Sequence, residues 1–481
     1  MPAREPMSHV DTAWLRMDQP NNLMQIVGVM LFDGTLDPDR LRNSIEKRLL
    51  AYDRFKQVVQ QNDGGYSWVD DPEFDLDQHL HHAVLPGAAG KPELQRFVAD
   101  LASTPLNPSR PLWAFHVVDT ALGGQALVMR IHHCIADGIA LLGVILSMAD
   151  ESAPPPRHST AKNREEAADD FFWQTIWQPM NDAMLASVKV SGKLWHKYLE
   201  LLTNPSRAID YARIAAGVAS EIAKLATMPS DTPTRFKGKA GTSKRVAWSE
   251  PMPLPDVKAV GKVLGCSVND LLLSAAAGAL RTYLVAHGDP VDGVEIRAMV
   301  PVNMRRPKDK DKLGNRFGLV ALELPVGIEN PLARLYKIRE RMQALKTSYQ
   351  AALTLSILGA VGMAPKFAQD KVLALLASKA TAVMTNVPGA TQPIYLAGAK
   401  LEQPLFWVPQ SGDIGMGLSI LSYDNKVQFG LITDKNMVPD PERIVAGFAP
   451  EFEKLLMLVL IEPWESLKDP AAVEAGLLGL C

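Results

Sequence analysis

The chain has 481 residues, 47% of them apolar, a formal net charge of −3 and three cysteines. At about 100–200 residues per domain the length calls for more than one domain, and the apolar share is too high for a disordered chain. The charge counts against a global field that gathers nucleic acid, and Cys134, Cys266 and Cys481, with no CxxC spacing, count against a disulfide framework or a structural zinc.

In chain order, "MQIVGVMLFDG" (24–34) reads as a strand ending in a turn. "DPDRLRNSIEKRLLAY" has helical spacing, with Asp37 or Asp39 available as a cap. "GQALVMRIHH" reads as a buried strand and "DGIALLGVILSMAD" as a buried helix. Residues 151–170 are proline-rich and then charged, and 228–243 are rich in Pro, Gly, Ser and Lys, so both read as exposed linkers. Between them the aromatic stretch 171–203 and "IDYARIAAGVASEIAKLA" have helical patterns. Strands are expected at "KRVAWSE", "EIRAMVPVNM", "GLVALELPV", "TAVMTNV" and "PIYLAGAKLEQP". Helices are expected at 255–264, 268–286, 331–349 and 441–460. "GLSILSYDNKVQFGLITD" reads as a hairpin turning at Asp424-Asn425. The organisation that follows is an N-terminal lobe (1–150), a linker and helical connector (151–243) and a C-terminal lobe (244–481). Two mixed α/β halves of similar length suggest a pseudo-duplicated architecture.

No apolar run reaches the ~18–20 residues of a membrane span, and the start of the chain lacks a signal-peptide core. The expectation is a cytoplasmic protein, soluble or peripheral. The aromatic segment 171–203 and the run 353–364 could touch a membrane or lipid droplet, or simply pack inside the fold.

One stretch carries chemistry. In "HHCIADG", His132 and His133 end a strand and Asp137-Gly138 opens a helix. Alternate strand residues face opposite sides, so the two imidazoles diverge and one can enter a cavity. Neutral imidazole can take a proton from a hydroxyl or thiol at physiological pH. Asp137 could cap the helix, hold the turn through an arginine or orient an imidazole. A second pair, His81-His82 in "HLHHAVLPG", has Pro86 where the aspartate would be and lies in a turn-rich context, so a structural role is expected. No GxxxxGK[ST], no GxGxxG after a strand and no GxSxG is present.

The strand–HHxxxDG–helix arrangement resembles the active-site motif of the coenzyme A-dependent acyltransferases. That superfamily includes chloramphenicol acetyltransferase, plant acyltransferases and peptide-synthetase condensation domains. More narrowly, the chain resembles the bacterial wax ester synthase/diacylglycerol acyltransferases over nearly its whole length. The similar blocks, in order, are "MSHVDTAWLRMDQPNNLMQIVGVMLFDG", "NPSRPLWAFHVVD", HHxxxDG, "GCSVNDLLLSAAAGALRTYL", "VPVNMRR", "LGNRFG", "TNVPGATQPIYLAGAKL" and the final hairpin.

The resemblance implies two chloramphenicol-acetyltransferase-like α/β lobes with mixed sheets, joined by a helical connector, with the active-site channel at their interface. It implies His133 as general base, with His132 and Asp137 structural. Asp137 would pair with an arginine, for which Arg130, Arg305 and Arg306 are candidates. Gly138 would keep the turn open beneath the channel. Asn269 and Asp270 match the family's Asn-Asp motif; Asn269 is a possible oxyanion donor, and either residue could instead cap its helix. Trp113 of "PLW" is expected in the core or the channel wall. Lys244-Arg245 and Arg305-Arg306 are local positive pairs that could meet the phosphates of coenzyme A.

The implied reaction is O-acyl transfer from acyl-coenzyme A to a long-chain alcohol or a diacylglycerol, with no metal, no cofactor and no nucleic-acid partner. Two alternatives stand beside it: a condensation-type enzyme using carrier-protein thioesters, and a non-catalytic lipid-binding homologue.

Overall fold

The computed structural model describes residues 4–62, 65–150, 229, 231–304, 313–346, 350–351, 353–355, 357 and 377–461. The connector helices expected within 171–227, and most of the run 353–364, lie outside these residues. Leu353 and Thr354, at the start of that run, are buried.

Two large mixed sheets organise the molecule. The first has the order β13-β14-β2-β7-β6-β5: Tyr395–Leu396, Ala399–Trp407, Gln25–Phe32, Gln125–His132, Trp113–Asp119 and Leu80–Val84. Its pairs are antiparallel except β5 with β6. The second has the order β11-β10-β12-β15-β16-β8: Phe317–Leu324, Ile296–Asn303, Ala382–Pro388, Met416–Tyr423, Lys426–Asp434 and Lys244–Trp248; β9 (Met252–Pro253) also pairs with β16. A small third sheet joins β1 (Arg4–Pro6), β4 (Gly65–Asp70) and β3 (Gln57–Asn62).

Chain order and sheet membership part company at β14. The segment expected as one strand, "PIYLAGAKLEQP", turns tightly at Ala397 and Gly398, both at positive φ, and then runs on as β14. That strand leaves the C-terminal half and pairs along β2, Trp407 opposite Val27 and Leu401 opposite Phe32. Trp407 and Leu405 then share one apolar cluster with Val27, Val29 and Val128 of the first sheet and with Val246, Trp248 and Ile432 of the second. The first sheet is therefore built from both halves of the sequence.

Helices cover these sheets much as their periodicity indicates. α5 (Leu254–Leu264), α6 (Val268–Ala286) and α8 (Pro441–Ile461) bury their apolar faces on the second sheet. Gly278 lets α6 approach a buried ion pair between Arg334 of α7 (Pro331–Lys346) and Glu451 of α8; a Cβ there would collide with both side chains. The Asp424-Asn425 hairpin forms as expected, with both residues in the left-handed region. "HLHHAVLPG", expected to be turn-rich, instead contributes β5, with His82 beside Asp119 (3.1 Å) and His81 beside His116. Among the described helices no single one is long and apolar enough to cross a membrane.

Candidate active site

The site is assembled at the end of β7. Along that strand Arg130 and His132 face one side while Ile131 and His133 face the other, as strand alternation requires. The turn after His133 is fixed by main-chain bonds: His133 N–H donates to Met24 O (2.7 Å) and Ile135 N–H to His132 O (3.0 Å). Asp137 then caps α4 (Gly138–Ser147), its Oδ1 accepting from Ala140 N–H at 2.9 Å. Its Oδ2 accepts the main-chain N–H of Arg316 at 3.0 Å.

Among the described residues one partner of Asp137 is the main-chain amide of Arg316, a residue the sequence reading did not put forward as its arginine. Arg130, which it did, donates to the carbonyls of Thr104 (2.8 Å) and Leu101 (3.2 Å) on the opposite face of the sheet. Arg305 and Arg306 lie outside the described residues. His132 turns away from the site; its Nδ1 accepts from Cys134 N–H at 3.1 Å.

His133 is only 2% exposed, yet its ring lines a cavity of about 400 Å³. Asp137, Gly138, Asn269 and Asn386 line it too, and Met299, Leu322 and Ile414 continue it as an apolar chamber in the second sheet. Trp14 of α1 (His9–Met17) stacks on the imidazole, centroids 4.2 Å apart, and Phe317 tilts against it at 5.5 Å. Burial pushes the pKa of His133 down to about 4, opposed by the nearby carboxylate of Asp137. The ring is neutral at physiological pH and able to accept a proton.

A second loop holds the turn from across the lobes. Gly314, at φ +100°, bridges to Ala136; that backbone region suits glycine. Its neighbour Asn315 donates through Nδ2 to Asp11 Oδ1 (2.8 Å) and to the main-chain oxygen of His133 (2.7 Å). Asp11, in the first turn of α1, also accepts from Ser8 Oγ (2.6 Å). Burial pushes its carboxyl above the ordinary range against these hydrogen bonds. Trp14, Asp11 and Asn315 were not singled out from sequence, although "MSHVDTAWL" and "LGNRFG" carry them as quoted blocks.

The other expected site residues divide. Asn269 lines the cavity at the start of α6, its Oδ1 accepting from Asn386 Nδ2 at 2.8 Å. Asp270 forms a capping box with Ser267 instead of facing substrate. A Cβ on Gly138 would stand 3.6 Å from Phe406 and 3.9 Å from Val408, both cavity residues, so the missing side chain leaves that wall open.

Trp113 is a core residue and no part of the cavity wall. It is 1% exposed, donates through Nε1 to Phe55 O (2.9 Å) and stacks on His79 at 4.5 Å. Lys244, expected as a phosphate contact, is buried. Its ammonium donates to Asn21 O (2.8 Å) and Asp434 Oδ2 (3.2 Å) and is unavailable to a phosphate. Arg245 stays half-exposed on β8. Among the described residues no group of three or more His, Cys, Asp or Glu is placed to hold a metal ion.

Comparison with known proteins finds two successive family matches. The wax ester synthase/diacylglycerol acyltransferase catalytic domain matches residues 7–272, and the WS/DGAT C-terminal domain matches 313–456. A probable diacylglycerol O-acyltransferase of Mycobacterium tuberculosis strain H37Rv is 27% identical over 437 residues, 88% of this chain and 89% of the relative. A second from the same strain is 27% identical over 455 residues, covering 91% and 95%. Among solved structures, a wax ester synthase/diacylglycerol acyltransferase from Marinobacter aquaeolei VT8 superposes with TM-score 0.64 at 21% identity, over 94% of this chain and 99% of that one. The starter condensation domain of rhizomide synthetase, in complex with C8-CoA and Leu-SNAC, superposes with TM-score 0.56 at 12% identity, over 97% of each. Both structures share the two-lobed α/β fold.

Proposed function

This chain belongs to the wax ester synthase/diacylglycerol acyltransferase family and is an acyltransferase, and from that premise we propose that it joins a long-chain acyl group of acyl-coenzyme A to the hydroxyl of a fatty alcohol or a diacylglycerol, with His133 as the base. The observation that carries this reading is a neutral imidazole, depressed by burial, on the wall of an apolar cavity between the lobes. Family membership sets aside the alternative of a condensation enzyme fed by carrier proteins.

The steps follow from that placement. The acceptor hydroxyl gives its proton to His133 as its oxygen attacks the thioester carbonyl. The carbonyl becomes a tetrahedral oxyanion, which the amide of Asn269 is proposed to stabilise through Nδ2, since Oδ1 is already engaged by Asn386. The C–S bond then breaks, and the coenzyme A thiolate takes the proton back from His133. No acyl-enzyme forms, so kinetics should follow a ternary complex. The thioester arrives already activated, and this sequence needs neither metal nor cofactor. The long apolar substrates also motivate proposing peripheral contact with a membrane or lipid inclusion, which liposome flotation would test.

The deciding assay offers radiolabelled palmitoyl-coenzyme A with hexadecanol and with diacylglycerol in separate reactions. Ester from either acceptor, lost in a folded His133→Ala variant, is the expected result. Retention of most activity in that variant would remove His133 as base.

A further inference from the structure

The cavity beside the base borders both faces of the second sheet. Met299, Val383 and Ile414 belong to a small apolar cluster on one face. Leu322, Met384 and Leu273 of α6 belong to the large core on the other, yet all six line the same cavity. The ladder shows where it crosses. β10 and β12 are in register at Ala298↔Ala382 and Met299↔Val383, and among the described residues no further pair joins them. Even so, β10 runs on to Asn303 against β11, and β12 to Pro388 against β15. Strands that stay paired lie about 4.8 Å apart and leave no room between them; these two part. The gap opens at the end where Phe317, opposite Asn303, tilts against His133. Pro301 stands in it. Leu319, its opposite number on β11, turns both main-chain groups outward to the Thr354 hydroxyl, so those of residue 301 point the other way, towards β12. A proline there brings no N–H to leave unpaired. The way round the outer edge of the sheet is closed: Thr354 and Gln350 accept from Leu319 and Ala321 N–H (2.7 and 3.1 Å), and Ala351 packs on Gly318, where a Cβ would collide.

We propose that the gap between β10 and β12 is a passage for one alkyl chain, which enters beside His133, crosses the sheet and ends against Met342 and Leu345 of α7, so that Met342 limits the chain length accepted. This rests on the reading of the reaction as acyl transfer to a hydroxyl. That reaction brings two alkyl chains to the cavity, one on the thioester and one on the acceptor, and both have the chemistry the walls require. From Phe317 to Leu322 the cavity follows β11 for roughly 16 Å, passing Val300 and Val320, which are opposite one another in the ladder. Its wall turns apolar going inward: one helical turn beyond Asn269, α6 presents Leu273. Val300, in an inner strand, and Met342 and Leu345 on α7 are only half-buried, because they border open space as well as packed core. Each methylene moved from water onto these walls favours binding, and a chain too long for the space meets Met342.

The test places a photoreactive diazirine at the far end of each chain, on the terminal carbon of palmitoyl-coenzyme A in one arm and of hexadecanol in the other. After irradiation of the wild-type enzyme, mass spectrometry of its peptides locates the label. Label on Leu322, Met342 or Leu345 in at least one arm is expected, and the arm names the chain that uses the passage. Label on none of them in either arm would overturn the proposal without any variant having to fold. In Met342→Trp the ratio of kcat/KM for palmitoyl- over octanoyl-coenzyme A, or for hexadecanol over octanol, should fall roughly tenfold, and in Met342→Ala the same ratio should rise. Both ratios unchanged in the folded variants equally overturns it. Should label reach α7 while no ester forms with hexadecanol or diacylglycerol, the proposed function fails and the passage stands.

Discussion

The indole of Trp14 lies flat on the imidazole of His133, with ring centroids 4.2 Å apart and planes 17° from parallel. The stack closes one face of the base against water and contributes to the burial that depresses its pKa to about 4. The active form is the neutral ring, so kcat/KM should be flat through neutral pH and fall on the acid side with an apparent pKa near 4. Trp14→Ala hydrates the ring and should move that acid limb upward, towards the ordinary 6.5. A pH–rate profile of both proteins checks this; an unmoved limb would show that the stack does not control the proton affinity of the ring.

The same shift fixes a stability trend. Between the ordinary 6.5 and about 4 the unfolded chain binds a proton at His133 that the native state refuses. His116, likewise pushed down to about 4 by burial and the Arg130 charge, acts in the same direction. Stability should therefore fall as pH drops through this window, and the fall should lessen in His116→Gln. Urea midpoints at several pH values measure it.

Asp137 joins two elements through two oxygens, one on the α4 cap and one on Arg316 N–H. Asp137→Ala should cost about 1–3 kcal/mol, from the lost cap and the lost acceptor of the part-buried Arg316 amide. Asp137→Asn keeps one acceptor oxygen and should cost less. Chemical denaturation gives both numbers; equal losses would refute the two-bond account.

Lys244 is an interlobe strut, so Lys244→Met should destabilise by about 3–5 kcal/mol through the charge left on buried Asp434. The KM for acyl-coenzyme A, measured on the folded fraction, should not rise. A raised KM with unchanged stability would restore the phosphate-binding expectation.

Asn269→Ala should lower kcat by on the order of 10²-fold with little change in KM if its amide meets the oxyanion. Steady-state kinetics on palmitoyl-coenzyme A decide it; a loss confined to KM would make Asn269 a wall residue.

What sequence revealed here, and what it hid, divides by range. The strand–turn–helix around His133, the cap at Asp137 and the hairpin at Asp424-Asn425 depend on neighbours a few residues apart, where periodicity and turn chemistry speak directly. "SVND" likewise carries both readings of Asp270, and the Ser267 capping box realises the local one. Asp11 and Asn315 meet across 304 positions, and no spacing rule joins them. Lys244 looked like a surface charge because its partners, Asn21 and Asp434, belong to distant segments. Trp14 sat in a short helix that the periodicity reading passed over.

The loan of β14 from one half of the sequence to the other bears on how this protein can be made. An N-terminal half expressed alone would lose the strand that covers β2 and expose the ladder groups of "QIVGVMLF". Such a bare, apolar margin invites pairing with other chains. A split gene would yield two aggregating products, and soluble enzyme should return only when both pieces are synthesised together.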